Sequence, residues 1–209
     1  MGSPSAASSR PVTPSSPSRP PERVMHTARP SAFESADTVN RVVALLVHFP
    51  ELHSVRSNPA DATLALSFAV RERLDRVKQR ALGERVTEHL RAFLDLRGDV
   101  PAKIALECDR DTAVTFVNVT RDAETFSREE LELLVAMFAE QFGQRLVRDG
   151  ASATPVDDDP AARDELVEVA LDALRDPTQR QRLVGFREEQ RVLVYFVHAR
   201  KRTKARARS

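Results

Sequence analysis

The chain is short of the residues that chemistry usually needs in clusters. A single cysteine, Cys108, rules out an internal disulfide framework and suits a reducing compartment. Six glycines, none of them clustered, exclude the glycine-rich loops that cradle nucleotide phosphates. No apolar run approaches the ~18 residues of a membrane-spanning helix. The long candidates, Val42–Val47 and Val192–Val197, are the size of core elements. The N-terminus has no apolar segment of the secretory kind, so the expected location is cytoplasmic, with no membrane partner.

Net charge is also small, +1 over 209 residues, and it conceals a strong asymmetry. Four arginines against one glutamate leave residues 1–31 at +3, and six cations with no acid put residues 199–209 at +6. The body between them, 32–198, therefore carries −8. An acidic body with a concentrated basic terminus directs any anionic partner to that terminus first.

Hydrophobic patterning divides the chain into an extension at 1–34, a single domain at 35–198 and a tail at 199–209. Seven of the thirteen prolines lie in the first 31 residues, among Ser and Arg with little to bury, which predicts disorder. Met25 lies inside this stretch and is a second candidate start, so residues 1–24 need not belong to the native protein. Order is expected to begin at Ser35 or Asp37 with a helix whose Val39, Val42, Val43, Leu46 and Val47 share a face until Phe49-Pro50 stops it. Asn58-Pro-Ala-Asp61 reverses a hairpin whose second strand alternates Leu64, Leu66, Phe68 and Val70, with small residues between them. A helix over 72–97 follows, striped by Leu74, Val77, Ala81, Val86, Leu90, Phe93 and Leu94, with Gly83 as a candidate break. Ile104, Leu106 and Cys108 then mark a strand that reverses at Asp109-Arg-Asp111 and returns as Ala113–Val119. Ser127 and Glu130 form a capping box for a helix whose stripe runs from Leu131 to Leu146, with Arg145 and Arg148 complementing its C-terminal dipole. Pro160 opens a fourth helix that stops at Asp176-Pro177.

The last hairpin, Leu183–Val197, reads as the centre of the fold. Its second strand, Val192-Leu-Val-Tyr-Phe-Val197, offers no polar face, which predicts a central strand covered on both sides. Its first strand carries Gly185, where another element is expected to approach closely. The order α-ββ-α-ββ-α-α-ββ predicts an α+β fold: a mainly antiparallel sheet of three hairpins with amphipathic helices packed on it. The run Leu183–Phe196, with Phe49-Pro50-Glu51 and Thr120-Arg-Asp122, resembles an uncharacterised family of small bacterial proteins over residues 38–198. That resemblance implies a single domain of conserved length and no assigned function, and the chain departs from it at both basic ends.

Candidate chemistry is sparse. His48 and His53 bracket Phe-Pro-Glu-Leu, but their spacing of five with a proline between them matches no metal-protease pattern. Cys108 alternates in phase with Ile104 and Leu106, as a small buried hydrophobe does. Asp157–Asp159 read as a linker running into a helix N-terminus. No catalytic residue, metal ligand or cofactor is expected, although a site assembled from distant positions is invisible at this level.

The positive signal is the tail, where Arg200, Lys201, Arg202, Lys204, Arg206 and Arg208 follow a greasy strand directly. Such a run can track a phosphate backbone and release counterions. It holds no aromatic residue for base stacking, which points away from sequence-specific binding. The expected function is therefore a non-enzymatic protein whose tail binds RNA or another polyanion. The alternative is a protein–protein or self-assembly module that uses exposed hairpin edges.

Overall fold

Three antiparallel pairs form where apolar residues alternate, and helices form where they recur every three or four positions. In chain order the elements are α1 (Ala32–His48), β1 (Leu52–Asn58), β2 (Thr63–Val70), α2 (Arg76–Arg97), β3 (Ile104–Asp111), β4 (Val114–Asp122), α3 (Arg128–Phe142), α4 (Pro160–Arg175), β5 (Arg182–Glu188) and β6 (Arg191–Val197). This computed structural model describes residues 32–148, 160–176, 178–188 and 191–197. The extension before residue 32 and the basic tail lie outside them. The strands make one six-stranded antiparallel sheet in the order β3-β4-β2-β1-β5-β6, so the fold is α+β as the patterning predicts.

The sheet's centre is the first hairpin. β1 pairs with β2 on one side and β5 on the other, and β2 pairs with β4. The expectation of a central β6 is therefore wrong: β6 pairs with β5 alone and forms an edge of the sheet. An uninterrupted apolar run is compatible with a buried strand, but nothing local in it encodes strand order.

One face of the sheet is covered. Leu52, Val55, Leu64, Leu66, Phe68, Val70, Val117, Val119 and Leu183 point to this face and join the helices in one core. At its middle Phe68 stacks on Phe138 of α3, ring centroids 4.0 Å apart. The helices do not each roof their own hairpin. α1 instead lies over β1, β5 and β6 and packs against α4, while α2 lies against β3. Gly185 is what lets α1 settle there. A methyl group at that position would stand 2.6 Å from Val42 Cγ1 and 3.1 Å from Leu46 Cδ1, so the close approach read from the glycine is α1 itself.

Several local expectations shift. α2 starts at Arg76 with Asp75 as its cap, whose carboxylate accepts from the Lys78 N–H at 2.8 Å. Its buried stripe is Leu82, Val86, Leu90 and Leu94, whereas Val77 is 78% exposed and Ala81 faces solvent. The helix runs through Gly83 without a break. β3 continues through Asp109–Asp111, and the reversal falls at Thr112-Ala113. α3 ends at Phe142, a 3-10 turn covers Gly143–Arg145, and Leu146 bridges to Val70 of β2. Arg145 and Arg148 therefore lie beyond α3, paired with Glu72 at 2.5 Å and Glu51 at 3.2 Å. Cys108 is half-buried because β3 is the other edge, and burial raises its thiol pKa.

Candidate polyanion interface

The face opposite the helices has Ser54, Ser67, Ala69 and Asn118 buried at its middle and is exposed toward its β6 end. Register places on it Ala65, Ser67 and Ala69 of β2, Ser54 and Arg56 of β1, Phe116, Asn118 and Thr120 of β4, Val184 and Phe186 of β5, and Leu193, Tyr195 and Val197 of β6. None of its apolar members joins the core cluster. Tyr195 is 51% exposed and Val197 45%.

Small residues in the middle leave a shallow floor, and Arg56 lies over it. Its Nη2 donates across β2 to Asn118 Oδ1 at 2.7 Å, and Asn118 Nδ2 donates on to Asp109 Oδ2 at 2.9 Å. Arg182 repeats the arrangement at the end of the same face. Its Nε donates to Asn58 Oδ1 at 3.0 Å, and Asn58 Nδ2 donates to Asp61 Oδ2 at 2.5 Å. In both chains a neutral amide separates the guanidinium from the carboxylate. The cation is thus oriented without being neutralised by direct contact, and its remaining donors are available to a ligand.

Charge divides this face. Glu107 and Asp109 stand exposed on β3, whereas Arg56, Arg182 and Arg191 stand exposed on β1, β5 and β6, with Glu188 as the acid among them. Aromatic rings accompany the basic half. Phe186 and Tyr195 lie diagonally across β5 and β6 with ring centroids 5.8 Å apart and planes at 28°. His53, displaced by an irregularity in β1, rests on Phe116 at 4.9 Å.

The six tail cations named from sequence, Arg200, Lys201, Arg202, Lys204, Arg206 and Arg208, lie outside the described residues; the chain enters them three residues after Val197. Sequence reading missed Arg182, Phe186 and Tyr195 because it buried the last hairpin, and Arg56 because only the long-range pairing of β1 with β5 brings it beside them. The overlooked signal was the alternation Arg182, Val184, Phe186 against Leu183, Gly185, Arg187, which separates the two faces of β5.

A buried ionic cluster surrounds Arg121. Arg121 is 1% exposed and ends β4 beneath α3. Its Nε and Nη2 donate to Glu130 at 2.5 and 3.0 Å, Nη1 donates to Lys103 O at 2.8 Å and to Asp122 Oδ1, and Nη2 also reaches Thr125 Oγ1 at 3.1 Å. Glu130 is thereby diverted from half of the expected capping box. Ser127 Oγ still accepts from the Glu130 N–H at 3.3 Å, but the Glu130 carboxylate turns inward to Arg121. Burial pushes the Glu130 carboxyl above its ordinary range, with Arg121 opposing. At Asp122 burial is outweighed by the Thr125 hydroxyl, the Lys103 N–H and Arg121, which hold its carboxyl below the usual aspartate range.

Two concave sites among the described residues are lined in part by charged side chains. A groove of about 720 Å³ between α2 and β3 is lined by interleaved charges of both signs, including Arg80, Glu84, Glu88 and Arg91. A smaller cleft of about 220 Å³ is lined by Glu72, which pairs with Lys78 at 2.6 Å and Arg145 at 2.5 Å. His48 packs edge-on to Phe49 while His53 rests on Phe116, and among the described residues no three metal-ligating side chains converge. Nor is any described helix long and apolar enough to cross a membrane. No family model, curated protein or solved structure matches the chain.

Proposed function

We propose that the protein is a non-enzymatic, cytoplasmic RNA- or polyanion-binding protein, in which the cationic tail follows the phosphate backbone and the basic half of the open sheet face extends its track. The observation that supports this reading is the placement of Arg56, Arg182 and Arg191 on the same half of the sheet that runs out through β6 into six further cations. The acidic half of the face and the −8 body repel the same ligand elsewhere, which orients it and limits affinity. Binding is measured across a salt series for the full chain and for a truncation ending at His198. Six released counterions on a single strand give a slope near −4 in log affinity against log salt, or several hundredfold between about 50 and 200 mM. The truncated chain is expected to keep the shallow slope of the face alone. Equal affinity and slope for the two proteins would discard the tail as the binding element.

A second reading, self-assembly through a hairpin edge, is favoured by β6. Residues Val192–Val197 hold no charge and no proline, and such an edge is a template for another strand. Antiparallel pairing of two copies about Val194 would set Leu193 against Tyr195 and Val192 against Phe196, apolar against apolar throughout. Light scattering over a concentration series tests this, with Leu193→Lys as the variant expected to return a dimer to monomer. A wild-type chain that stays monomeric at every concentration removes the reading.

A further inference from the structure

We infer that Phe186 and Tyr195 stack the unpaired bases of the bound polymer, so that the ligand is a single-stranded nucleic acid rather than a duplex or a base-free polyanion. This rests on the polyanion reading above and adds a second, chemically distinct contact to it. The geometry that carries it is the interleaving of rings and guanidiniums on one open surface. Val184 lies opposite Arg56 on one side and Tyr195 on the other, so Arg56 and Tyr195 share a row across three strands, two strand spacings or about 10 Å apart. Arg182 lies opposite Val197, one outward position along from Tyr195 on the same face. A strand laid along β5 and β6 therefore meets a ring for its base and a guanidinium for its phosphate at neighbouring positions.

The rings' own environment points the same way. Tyr195 is 51% exposed, its neighbour Val197 is 45% exposed, and neither Phe186 nor Tyr195 belongs to the core cluster; Phe186 is half-buried against Tyr195, which leaves the outer face of the tyrosine ring to a ligand. A duplex cannot use them, because its base faces are already stacked. Polyphosphate cannot use them either, because it presents no ring face. Stacking is tolerant of base identity, in keeping with a tail that has no means of reading sequence.

The chain supplies its own reporter: Tyr195 is the only tyrosine and there is no tryptophan. The full chain is titrated with an unstructured oligouridylate, a duplex RNA of the same length and inorganic polyphosphate of matched charge, following Tyr195 emission and affinity. Oligouridylate is expected to bind and change the emission, whereas polyphosphate binds without changing it and the duplex is weaker than the single strand. Tyr195→Ala is expected to lose roughly 5- to 150-fold in affinity for oligouridylate, the range of one lost base stack, and to keep its polyphosphate affinity. Tyr195→Phe, which retains the ring, keeps both. Unchanged oligouridylate affinity in Tyr195→Ala, with polyphosphate still bound, would overturn the stacking site and leave the tail reading standing. Failure of every polymer to bind the full chain would overturn both. Emission that changes with protein concentration alone would overturn stacking in favour of a contact between copies.

Discussion

The two ends of this sheet are held by different means. At the β3–β4 end the anchor is ionic: Arg121, 1% exposed, is enclosed by Glu130, Asp122, Thr125 and the Lys103 carbonyl. At the β5–β6 end Gly185 admits Val42 and Leu46 of α1 against the strand, and Arg187, 9% exposed, donates to the Leu52 and Phe49 carbonyls at 3.0 and 3.4 Å. The outer edges differ in the same sense. β3 carries Glu107, Asp109, Arg110 and Asp111, whereas β6 runs six residues without a charge, although each edge strand has a helix on its core side, α2 on β3 and α1 on β6. Charges on an edge strand are an established way of refusing a partner. One edge of the sheet is thus charged, and the other ends in an apolar, aromatic and basic surface.

The sharpest way to break the ionic end is to remove one partner. Glu130→Ala leaves a guanidinium buried without its bidentate acceptor and is expected to cost about 3–5 kcal/mol in urea denaturation. Replacing both residues together, Arg121→Met with Glu130→Leu, should cost much less, because no charge is then stranded. If both variants lose the same stability, the cluster is not acting as a paired unit.

Next in size is Asp122→Asn, expected to lose roughly 1.5–3 kcal/mol at neutral pH with its charge-assisted bonds. The same variant carries the pH dependence. The Asp122 pKa is depressed in the folded state, so its stabilisation is fully present above the ordinary aspartate value near ~4 and is lost as pH falls through the folded value. Glu130, whose pKa burial raises, acts in the opposite sense: the folded protein takes up that proton at higher pH than the unfolded chain, which offsets part of the loss. Asp122→Asn should therefore show a flatter acid limb than the wild type in a stability–pH series, and an identical limb would reject the assignment.

At the other end Gly185→Ala is expected to cost about 1–3 kcal/mol, since the added methyl must displace Val42 or Leu46, both fully buried. Amide exchange should accelerate in β5, β6 and α1 while β3 and β4 keep their protection. Uniform acceleration would mean that the two ends are not separately anchored.

The smallest effect sharpens the electrostatic side of the comparison. Asp109→Asn removes the carboxylate behind Asn118 while leaving Arg56 its amide acceptor. One charge at this range in water is worth on the order of a threefold gain in polyanion affinity at low salt, disappearing as salt rises. Fluorescence anisotropy with a labelled oligonucleotide measures it; a loss of affinity would show that Asp109 orients Arg56 rather than opposing the ligand.

How much of this was legible beforehand follows from which signals are local. The alternation of Leu64, Leu66, Phe68 and Val70 and the cap at Ser127 act within a few residues, so hairpins and helices are readable from them. Strand order is a long-range property, and the run Val192–Val197 looks the same whether its strand is central or at an edge. Phase along a charged helix is similarly ambiguous: Val77 and Ala81 fit a stripe until Leu82 is seen to define the buried face. Glu130 sits where a capping residue belongs, and only the tertiary position of Arg121 diverts it. The interface residues were hidden for a related reason, since Phe186 and Tyr195 read as core until their strands are placed at the sheet's end.

The central claim is that one half of the open face, and not the other, receives the polymer. Backbone amide shifts of the isotope-labelled full chain during titration with a short unstructured oligonucleotide test it residue by residue. Perturbations are expected at Arg56, Val184, Phe186 and Arg191–Val197 and through Arg200–Arg208, with Glu107, Asp109 and the rest of β3 unmoved. Shifts centred on β3, or confined to the tail with β5 and β6 silent, would contradict the account.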